Sequence, residues 1–383
     1  MPSPRVHLDA NATTRPLPAV RDAVCAALDA RWGNPSSPHG GGRDAARLLA
    51  ESRGTVAHWL GAATSEVVFT SGGTEADRLG ILGALAAAGG RRHVVASAIE
   101  HAAIDELLRD ARHTPWGADV EVTWVRPHAD GAVRADDVAA ALRDDTALVA
   151  LMWANNETGV LQPVHDVAAL CRARSTALLV DAVQAAGRVP VDFGALGATL
   201  LAVSAHKVHG PKGVGALLVR SGGGWRAPFP ASHESRRRAG TEPLPLIAGF
   251  AAAAAAVAAD LDVATARMSA LRDRLERVVC GALEGVRANG TAPRVANTCN
   301  LEFAGVEADR LVAALDRAGV DVSNGSACSS GSTEPSHVLL AMGRSRREAF
   351  SAVRFSLSRT TTQDDMDRAI AAVIESVETL RRR

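Results

Sequence analysis

The chain has 383 residues, 47% of them hydrophobic, and its 42 Lys and Arg residues balance its 42 Asp and Glu residues. This length favours one large and one smaller domain, and the zero net charge gives no reason to expect a nucleic acid or an acidic membrane as a partner. Neither the N-terminal residues MPSPRVHLDANATTRP nor the alanine-rich stretch around residues 250–259 is typical of a signal peptide or a membrane span, so we expect a cytoplasmic protein.

Short β-rich runs alternate with helical segments through the first two-thirds of the sequence. The predicted strands are 67–70, 93–97, 121–125, 148–153, 177–181, 200–204 and 215–219, and the helices between them include 75–88 and 164–174. This alternation predicts an α/β fold with a mostly parallel sheet and helices on both of its faces. In such sheets ligands bind at the carboxyl ends of the strands.

The last third of the sequence predicts a smaller unit. Residues 222–240 are rich in Gly, Pro and Arg and are interpreted as a loop, and one long helix is predicted from about 244 to 279. Further strands are predicted at 299–303 and 353–358. We therefore expect a large domain over residues 15–250 and a small α+β domain of residues 1–14 and 260–383, joined by the long helix.

The cysteines are odd in number and scattered. They lie at Cys25, Cys171, Cys280, Cys299 and Cys328, with no CxxC spacing. This pattern argues against a disulfide framework or a metal site and favours a reducing compartment. By context the first four are interpreted as small core residues, whereas Cys328 lies in the Gly/Ser-rich segment SNGSACSSGS.

The segment SAHKVHGPKG places Ser204, His206 and Lys207 at the end of a predicted apolar strand. Lysine occurs only at Lys207 and Lys212. Arginine can replace lysine on most surfaces, but an imine requires a primary amine that can deprotonate. Lys207 is therefore the candidate to hold a carbonyl cofactor as a Schiff base, although an isolated His-Lys pair is more often a solvated loop.

The segment LLVDAVQ places Asp181 at the end of a buried strand and Gln184 three residues later. A pyridine ring works as an electron sink when its nitrogen is protonated, and an adjacent carboxylate keeps it so. Gln184 could donate to the phenolate oxygen of such a ring. Taken alone, Asp181 fits an N-cap at a strand-to-helix turn equally well.

Two further turns follow predicted strands. In FTSGGTEAD the backbone amides around Gly73 and the Thr74 hydroxyl form a candidate phosphate site at a helix N-terminus. His101 in SAIEHAAI could stack on a cofactor ring and carry protons, and Asn156 in WANNETG could bind the ring oxygen or the substrate. Each is weak alone, since buried histidines and asparagine turns are ordinary.

Together these motifs resemble the cysteine desulfurases, a branch of the class V aminotransferase group with the fold type I architecture of pyridoxal-phosphate enzymes. The similarity covers nearly the whole chain in order: LDANATT, GNPSSPH, TSGGTEAD, IEH, NNETG, VDAVQ, SAHKVHGPKG, RAGT, NGSACSSGSTEPSHVL and RFSLSR. The resemblance implies that the cofactor is pyridoxal 5'-phosphate and that the substrate is L-cysteine, converted to L-alanine.

The resemblance also implies residue roles. Lys207 resembles the Schiff-base lysine, Asp181 the pyridinium partner and His101 the stacking histidine. The phosphate binders are implied to be Gly73, Thr74, Ser204 and His206, with Thr241 reaching the phosphate of a neighbouring subunit in a homodimer that shares its sites. Asn34, Asn156 and Arg354 resemble contacts to the substrate carboxylate and the ring, and the planar guanidinium of arginine suits a carboxylate.

Cys328 is implied to accept the substrate sulfur as a persulfide and pass it to an acceptor protein, with at most a transient contact to an iron–sulfur cluster. A helix predicted from Glu334 would help to lower the pKa of its thiol. The acceptor could serve iron–sulfur cluster assembly, tRNA thiolation, thio-cofactors or a natural-product pathway. Ahead of Arg238 the family carries a glycine-rich GGGQE-type stretch, whereas this chain has APFPASHESR.

Two alternatives remain open from the sequence. One is another enzyme of the same group, such as a selenocysteine lyase or an aminotransferase acting on a different amino acid. The other is a protein that keeps the fold and binds pyridoxal phosphate without turnover. The presence of Lys207, Asp181 and Cys328 together favours the desulfurase.

Overall fold

The computed structural model describes residues 5–114, 116–324 and 334–382. Its strands are β1 (Val6–His7), β2 (Val67–Thr70), β3 (His93–Ser97), β4 (Glu121–Val125), β5 (Thr146–Met152), β6 (Ala177–Asp181), β7 (Leu200–Ser204), β8 (Gly215–Val219), β9 (Val286–Asn289), β10 (Thr298–Phe303), β11 (Val320–Asp321) and β12 (Ala352–Ser356). Its helices are α1 (Pro18–Ala30), α2 (Gly40–Trp59), α3 (Gly73–Ala87), α4 (Ala102–Arg109), α5 (Ala135–Ala141), α6 (Val164–Ala173), α7 (Phe193–Leu196), α8 (Leu244–Ala259), α9 (Leu261–Ala282), α10 (Ala308–Arg317), α11 (His337–Ala341), α12 (Arg346–Ala349) and α13 (Gln363–Arg381).

The main sheet has seven strands in the order β2-β8-β7-β6-β5-β3-β4. β7, β6, β5, β3 and β4 are parallel to one another, and β8 runs antiparallel between β7 and β2. One apolar core joins the sheet to α2, α6 and α8, and another joins it to α3 and α4. Every residue of β5, TALVALM, is buried, because helices cover both faces of the sheet. The predicted α/β class is confirmed.

A second set of elements follows the main sheet. β9, β10 and β12 form an antiparallel sheet, and β1 pairs in parallel with β11. A separate apolar core joins these strands to α9, α10 and α13, and it includes Val6 and Leu8 from the N-terminal segment. The strands predicted at 299–303 and 353–358 correspond to β10 and β12. The domain boundaries stay a prediction.

The single long helix predicted over 244–279 is wrong. The region forms α8 and α9, which are bent by 75° at Asp260. Arg359 donates from Nη1 to Ala256 O at 3.2 Å and to Asp260 Oδ1 at 2.6 Å, so a distant guanidinium binds the C-terminal end of α8. Within the described ranges no single helix is long and apolar enough to cross a bilayer, and α8 with α9 passes that test only as a bent pair.

Two smaller predictions also need correction. The helix predicted from Glu334 begins only at His337, because the Ser336 hydroxyl accepts a hydrogen bond from Leu339 N at 3.1 Å and caps α11. Of the four cysteines expected in the core, Cys171 and Cys299 are buried, whereas Cys280 is partly buried and Cys25 is exposed on α1. Cys328 lies outside the described residues.

Candidate active site

A cavity of about 240 Å³ lies at the carboxyl ends of β3, β5, β6 and β7. Its lining consists of Gly73, Thr74, Asp77, His101, Met152, Asn156, Asp181, Val183, Gln184, Ser204, His206 and Lys207. Adjacent parallel strands end at the same edge of the sheet, as shown by Met152, which pairs in register with Asp181. The fold therefore brings motifs that are far apart in the sequence to one place, at the sheet edge where ligands bind.

Four of the predicted site residues lie outside this lining. Asn34 and Thr241 are exposed, and Asn34 Oδ1 accepts a hydrogen bond from the backbone N–H of Ser36 at 2.9 Å. Arg354 is buried and contacts the cavity wall through Asn156. Cys328 is outside the described residues. The roles predicted for these four stay predictions.

Lys207 ends a 3₁₀ turn, Ala205–Lys207, that follows β7 directly. Its Nζ donates to the backbone oxygens of Asn11 at 2.5 Å and Ala12 at 2.8 Å, so the amine is directed inward to the N-terminal segment. Its positive charge lowers the pKa of both Asp181 and His101. The amine and the Asp181 carboxylate therefore share one cavity and influence each other's charge.

Asp181 ends β6 and is 5% exposed. Its Oδ1 accepts a hydrogen bond from the backbone N–H of Val183 at 2.8 Å. Burial raises the pKa of Asp181 to about 6, and the Val183 amide and the Lys207 charge act in the opposite direction. A carboxylate with so little contact with solvent is strongly stabilised by an additional cation beside it. A protonated pyridine nitrogen is such a cation.

The turn after β2 and the start of α3 form a site suited to an anion. The first amides of a helix have no partner inside the helix and lie at its positive end, and here they belong to Gly73, Thr74 and the residue after them. A Cβ at Gly73 would lie 2.7 Å from Val183 Cγ2, so a side chain there would close the site. The buried Ser204 hydroxyl has no hydrogen-bond partner among the described residues, which leaves it free to bind an incoming oxygen atom.

Gly215 allows this turn to lie against the sheet. A Cβ at Gly215 would lie 2.6 Å from Val203 O and 2.8 Å from the Cα of Gly72. Any side chain at this position in β8 would therefore push the turn between β2 and α3 away from its neighbours. Next to it, His206 Nδ1 lies 3.1 Å from the Thr13 hydroxyl, and burial, together with the charges of Lys207 and Lys212, lowers the pKa of His206 to about 4.

His101 caps α4 with its side chain. Its Nδ1 accepts a hydrogen bond from the backbone N–H of Ala103 at 3.1 Å, so the neutral ring carries its proton on Nε2. Burial, with the charges of Lys207 and His337, lowers the pKa of His101 to about 4. The ring is therefore neutral near pH 7, with its proton on Nε2.

The hydrogen bonds of Gln184 differ in detail from the expectation that its side-chain amide donates to a ring oxygen. One N–H of Nε2 already donates to Asn11 O at 2.9 Å, and Oε1 is buried without a partner among the described residues. A donation to a ring oxygen would have to use the second N–H of Nε2. Asn11, whose side chain donates to Asn156 O at 3.0 Å and to Thr298 Oγ1 at 2.9 Å, joins the walls of the cavity.

Arg354 lies directly behind Asn156. Its Nη1 donates to Asn156 O at 3.1 Å and its Nη2 to Asp9 Oδ1 at 2.6 Å. Nε is buried and has no partner within the described ranges. The guanidinium is therefore held beside the cavity by one carboxylate and retains an unused donor.

Sequence reasoning missed several polar residues of this site. Asp77 lines the cavity, Asn11 connects its walls, and Glu100 is fully buried next to His101. Asn11 and Asp77 lie inside motifs recognised in the sequence, LDANATT and TSGGTEAD, and Glu100 directly precedes His101. The sequence showed these residues as polar side chains in or next to the motifs. It did not show that they are buried.

The family model described as "Aminotransferase class-V" matches residues 6–369 of this chain. A cysteine desulfurase of Cereibacter sphaeroides is 43% identical over 380 residues, which cover 98% of this chain and 97% of the relative. The solved structure of a NifS-like protein superposes with a TM-score of 0.88 at 31% identity, covering 98% of this chain and 100% of that one. A structure described as SspA in complex with cysteine gives a TM-score of 0.80 at 28% identity, covering 93% of this chain and 99% of that one.

Proposed function

The chain belongs to the class-V aminotransferase family and, within it, to the cysteine desulfurases, and from this membership we propose how its own residues perform that reaction. The observation that carries the proposal is the shared cavity of Lys207 and Asp181, the amine and the carboxylate that pyridoxal-phosphate chemistry requires. The substrate is L-cysteine, as in the relatives named for this activity, and one related structure is described as a complex with cysteine.

The residues of the cavity fit pyridoxal phosphate in three respects. The helix N-terminus at Gly73 and Thr74, with the unpartnered Ser204 hydroxyl, suits the phosphate. The buried Asp181 carboxylate suits a protonated ring nitrogen. Lys207 supplies the amine for the aldehyde. When bound, the cofactor makes the α-proton of an amino acid acidic by taking up the electron pair that its removal leaves.

Residues of the protein would carry out proton transfer, bind the substrate and contact the cofactor ring. The Lys207 amine would accept the α-proton of the substrate, and the Asn11 and Ala12 carbonyls would hold its ammonium form. Arg354 binds the substrate carboxylate beside Asn156. His101, neutral and protonated on Nε2, lines the same cavity and would stack on the ring of the bound cofactor.

Cys328 completes the proposal as the sulfur acceptor. Its thiolate attacks the substrate sulfur, so that an S–S bond forms while the C–S bond breaks. The electron pair of the broken bond stays on carbon, which takes up protons and leaves as L-alanine. The persulfide sulfur is then passed to a second protein.

The scarcity of lysine allows a direct test of the Schiff base. Borohydride reduction of the purified yellow protein, followed by peptide mass spectrometry, should place the pyridoxyl mass on Lys207 and leave Lys212 unmodified. Lys207→Ala should lose the visible absorption band, whereas the control Lys212→Ala should keep it. A pyridoxyl mass on Lys212, or a normal visible band in Lys207→Ala, contradicts the assignment.

The sulfur relay has a matched pair of cysteine variants. Cys328→Ser should lose sulfide release and the persulfide adduct in mass spectra while it keeps the visible band. Cys25→Ser, at the exposed cysteine of α1, should retain both. Full turnover by Cys328→Ser would remove the relay from the proposal. Assays with cysteine, selenocysteine and cysteine sulfinate side by side distinguish the desulfurase from a selenocysteine lyase.

We also propose that the enzyme is a homodimer with shared sites, in which the exposed Thr241 reaches the phosphate held by the partner subunit. Light scattering should give the mass of two chains. Thr241→Ala should bind pyridoxal phosphate more weakly while its mass in solution stays the same. The sulfur acceptor is a protein, to be identified by persulfide-transfer assays with candidates from the native host.

A further inference from the structure

Three carboxyl side chains lie together at the inner wall of the cavity. Asp77 is 1% exposed, Glu100 is 0% exposed and Asp181 is 5% exposed. They come from α3, from the turn after β3 and from the end of β6. Asp77 and Asp181 line the cavity itself, and Asp181 is the one with a role in the proposed function.

The three groups differ in the donors around them. Asp181 Oδ1 accepts from Val183 N, and Glu100 Oε1 accepts from the Ser97 hydroxyl at 2.5 Å and from Met152 N at 2.9 Å. Asp77 Oδ1 and Glu100 Oε2 are buried and have no hydrogen-bond partner among the described residues. An ionised oxygen in that position would have neither water nor a donor.

Three adjacent buried carboxylates cannot all be ionised, because each anion raises the free energy of the next and water is excluded. The positive charge of Lys207, in the turn after β7, acts on Asp181 and lowers its pKa. Asp105 on α4 adds a further negative influence on Glu100. Burial raises the pKa of Glu100 to about 8, and burial with the charges of Asp181 and Glu100 raises that of Asp77 well above its usual value.

We propose, on the basis of the function argued above, that Asp77 and Glu100 are positioning residues that both hold a proton at neutral pH. Asp77 is then a neutral acid in the wall of the cavity and Glu100 a neutral acid behind it, and Asp181 is the one ionised member of the three. The ring nitrogen of the bound cofactor would then face one buried anion, Asp181. The proton on that nitrogen would be stabilised by Asp181 alone and not by Asp77 or Glu100. The Glu100 carboxyl also fixes the turn that presents His101, since it binds Ser97 at the start of that turn and Met152 at the end of the adjacent strand β5.

Infrared difference spectroscopy tests the protonation directly, in the protein with and without pyridoxal phosphate. A protonated carboxylic acid has a C=O stretch that a carboxylate lacks. At pH 7 the wild type should show such bands, with one component missing in Asp77→Asn and another in Glu100→Gln. If the bands are absent from the wild type, or if neither substitution removes a component, the proposal is overturned.

Cofactor affinity supplies the second measurement. The amide in Asp77→Asn imitates the neutral acid, so pyridoxal phosphate should bind within about twofold of the wild type, whereas Asp181→Asn should bind about tenfold or more weakly. A tenfold loss in Asp77→Asn would mean that Asp77 is an anion facing the ring. If either variant fails to fold, wild-type protein labelled with 13C at the side-chain carboxyl of aspartate or of glutamate gives the same assignment by residue type. These readouts are independent of sulfur transfer, so a failure of the desulfurase proposal would leave them unaffected.

Discussion

The buried Arg354 and the partly buried Asp9 form an ion pair beside the cavity, with 2.6 Å between Nη2 and Oδ1. The side chain of Arg354 is 3% exposed, and Asp9 is the only carboxylate paired with it in the described part of the chain. The arginine that we propose for the substrate carboxylate is therefore already occupied by a carboxylate of the protein.

Asp9→Asn should show whether substrate and Asp9 share this arginine. Removing one partner of a buried pair leaves the other charge uncompensated, so we expect the free protein to lose about 3 kcal/mol of stability. L-alanine, the product, should then raise the melting temperature of Asp9→Asn more than that of the wild type, since its carboxylate replaces Asp9. Equal shifts in thermal denaturation would show that the ligand does not reach Arg354.

The helix cap at His101 predicts a fixed tautomer. Because Nδ1 accepts from Ala103 N, 15N NMR of histidine-labelled protein should show His101 neutral and protonated on Nε2 from pH 6 to 8. His101→Ala should destabilise the cofactor-free protein by about 1 kcal/mol through loss of the cap. His101→Asn, which restores a capping side chain, should recover most of this stability without recovering activity. A His101 resonance that titrates near pH 6.5 would contradict the assignment.

The turn at residues 234–236, in the loop ahead of Arg238, has unusual backbone geometry. Glu234, Ser235 and Arg236 have φ angles of 49°, 57° and 63°, a conformation that disfavours side chains. The Glu234 carboxylate stabilises it, since it accepts two hydrogen bonds of 2.7 Å from Arg53 and one of 2.8 Å from Phe69 N.

Two glycine substitutions compare strained and unstrained positions in this loop. Arg236→Gly should raise the free energy of unfolding by about 0.5–1 kcal/mol, because glycine adopts a positive φ without strain. The control Arg237→Gly, at φ −105°, should not stabilise.

Glu234→Gln should lower stability by about 3 kcal/mol, since it leaves the Arg53 charge without its buried partner. Urea denaturation of the cofactor-free proteins measures all three.

Gly215→Ala should weaken the phosphate site. The added Cβ would meet Val203 O and the backbone of Gly72 at less than 3 Å, and the turn that binds the phosphate would shift. We expect pyridoxal phosphate to bind about tenfold more weakly. Gly54→Ala is the matched control, because a Cβ there meets nothing within 4 Å inside α2, and it should stabilise by up to about 1 kcal/mol.

The raised pKa of Glu100 predicts that the stability of the protein depends on pH. The pKa of Glu100 is about 8 in the folded protein, against a usual value of 4.5. Between these values the folded state holds a proton that the unfolded state releases, so the contribution of Glu100 to stability is complete below pH 4.5 and is lost as pH rises through 8. The loss approaches about 1.4 kcal/mol per pH unit. Glu100→Gln should flatten this part of the stability profile of the cofactor-free protein, and an unchanged slope would refute the shift.

The sequence predicted the main sheet closely. Five-residue apolar runs such as 177–181 and 200–204 correspond to β6 and β7 without change, because strands buried on both faces need continuous apolar residues. Parallel strands place their ends together, so Asp181 and Lys207 could be expected in one cavity. The exposure of Cys25 and the hydrogen bonds of Gln184 could not be predicted, since each depends on which other elements pack nearby, whereas the start of α11 depends on the local Ser336 cap.

By itself, the sequence determined which residues are able to do the chemistry: one of two lysines at the end of a buried strand, an aspartate at the end of the adjacent strand and glycines at a helix N-terminus. Only the tertiary structure decided the charge and direction of these groups. Arg359 binds the end of α8 at the bend, Asp9 pairs with Arg354, and burial favours the protons proposed for Asp77 and Glu100. The physical reason is that desolvation and ion pairing are set by groups close in space, and those groups lie far apart along the chain.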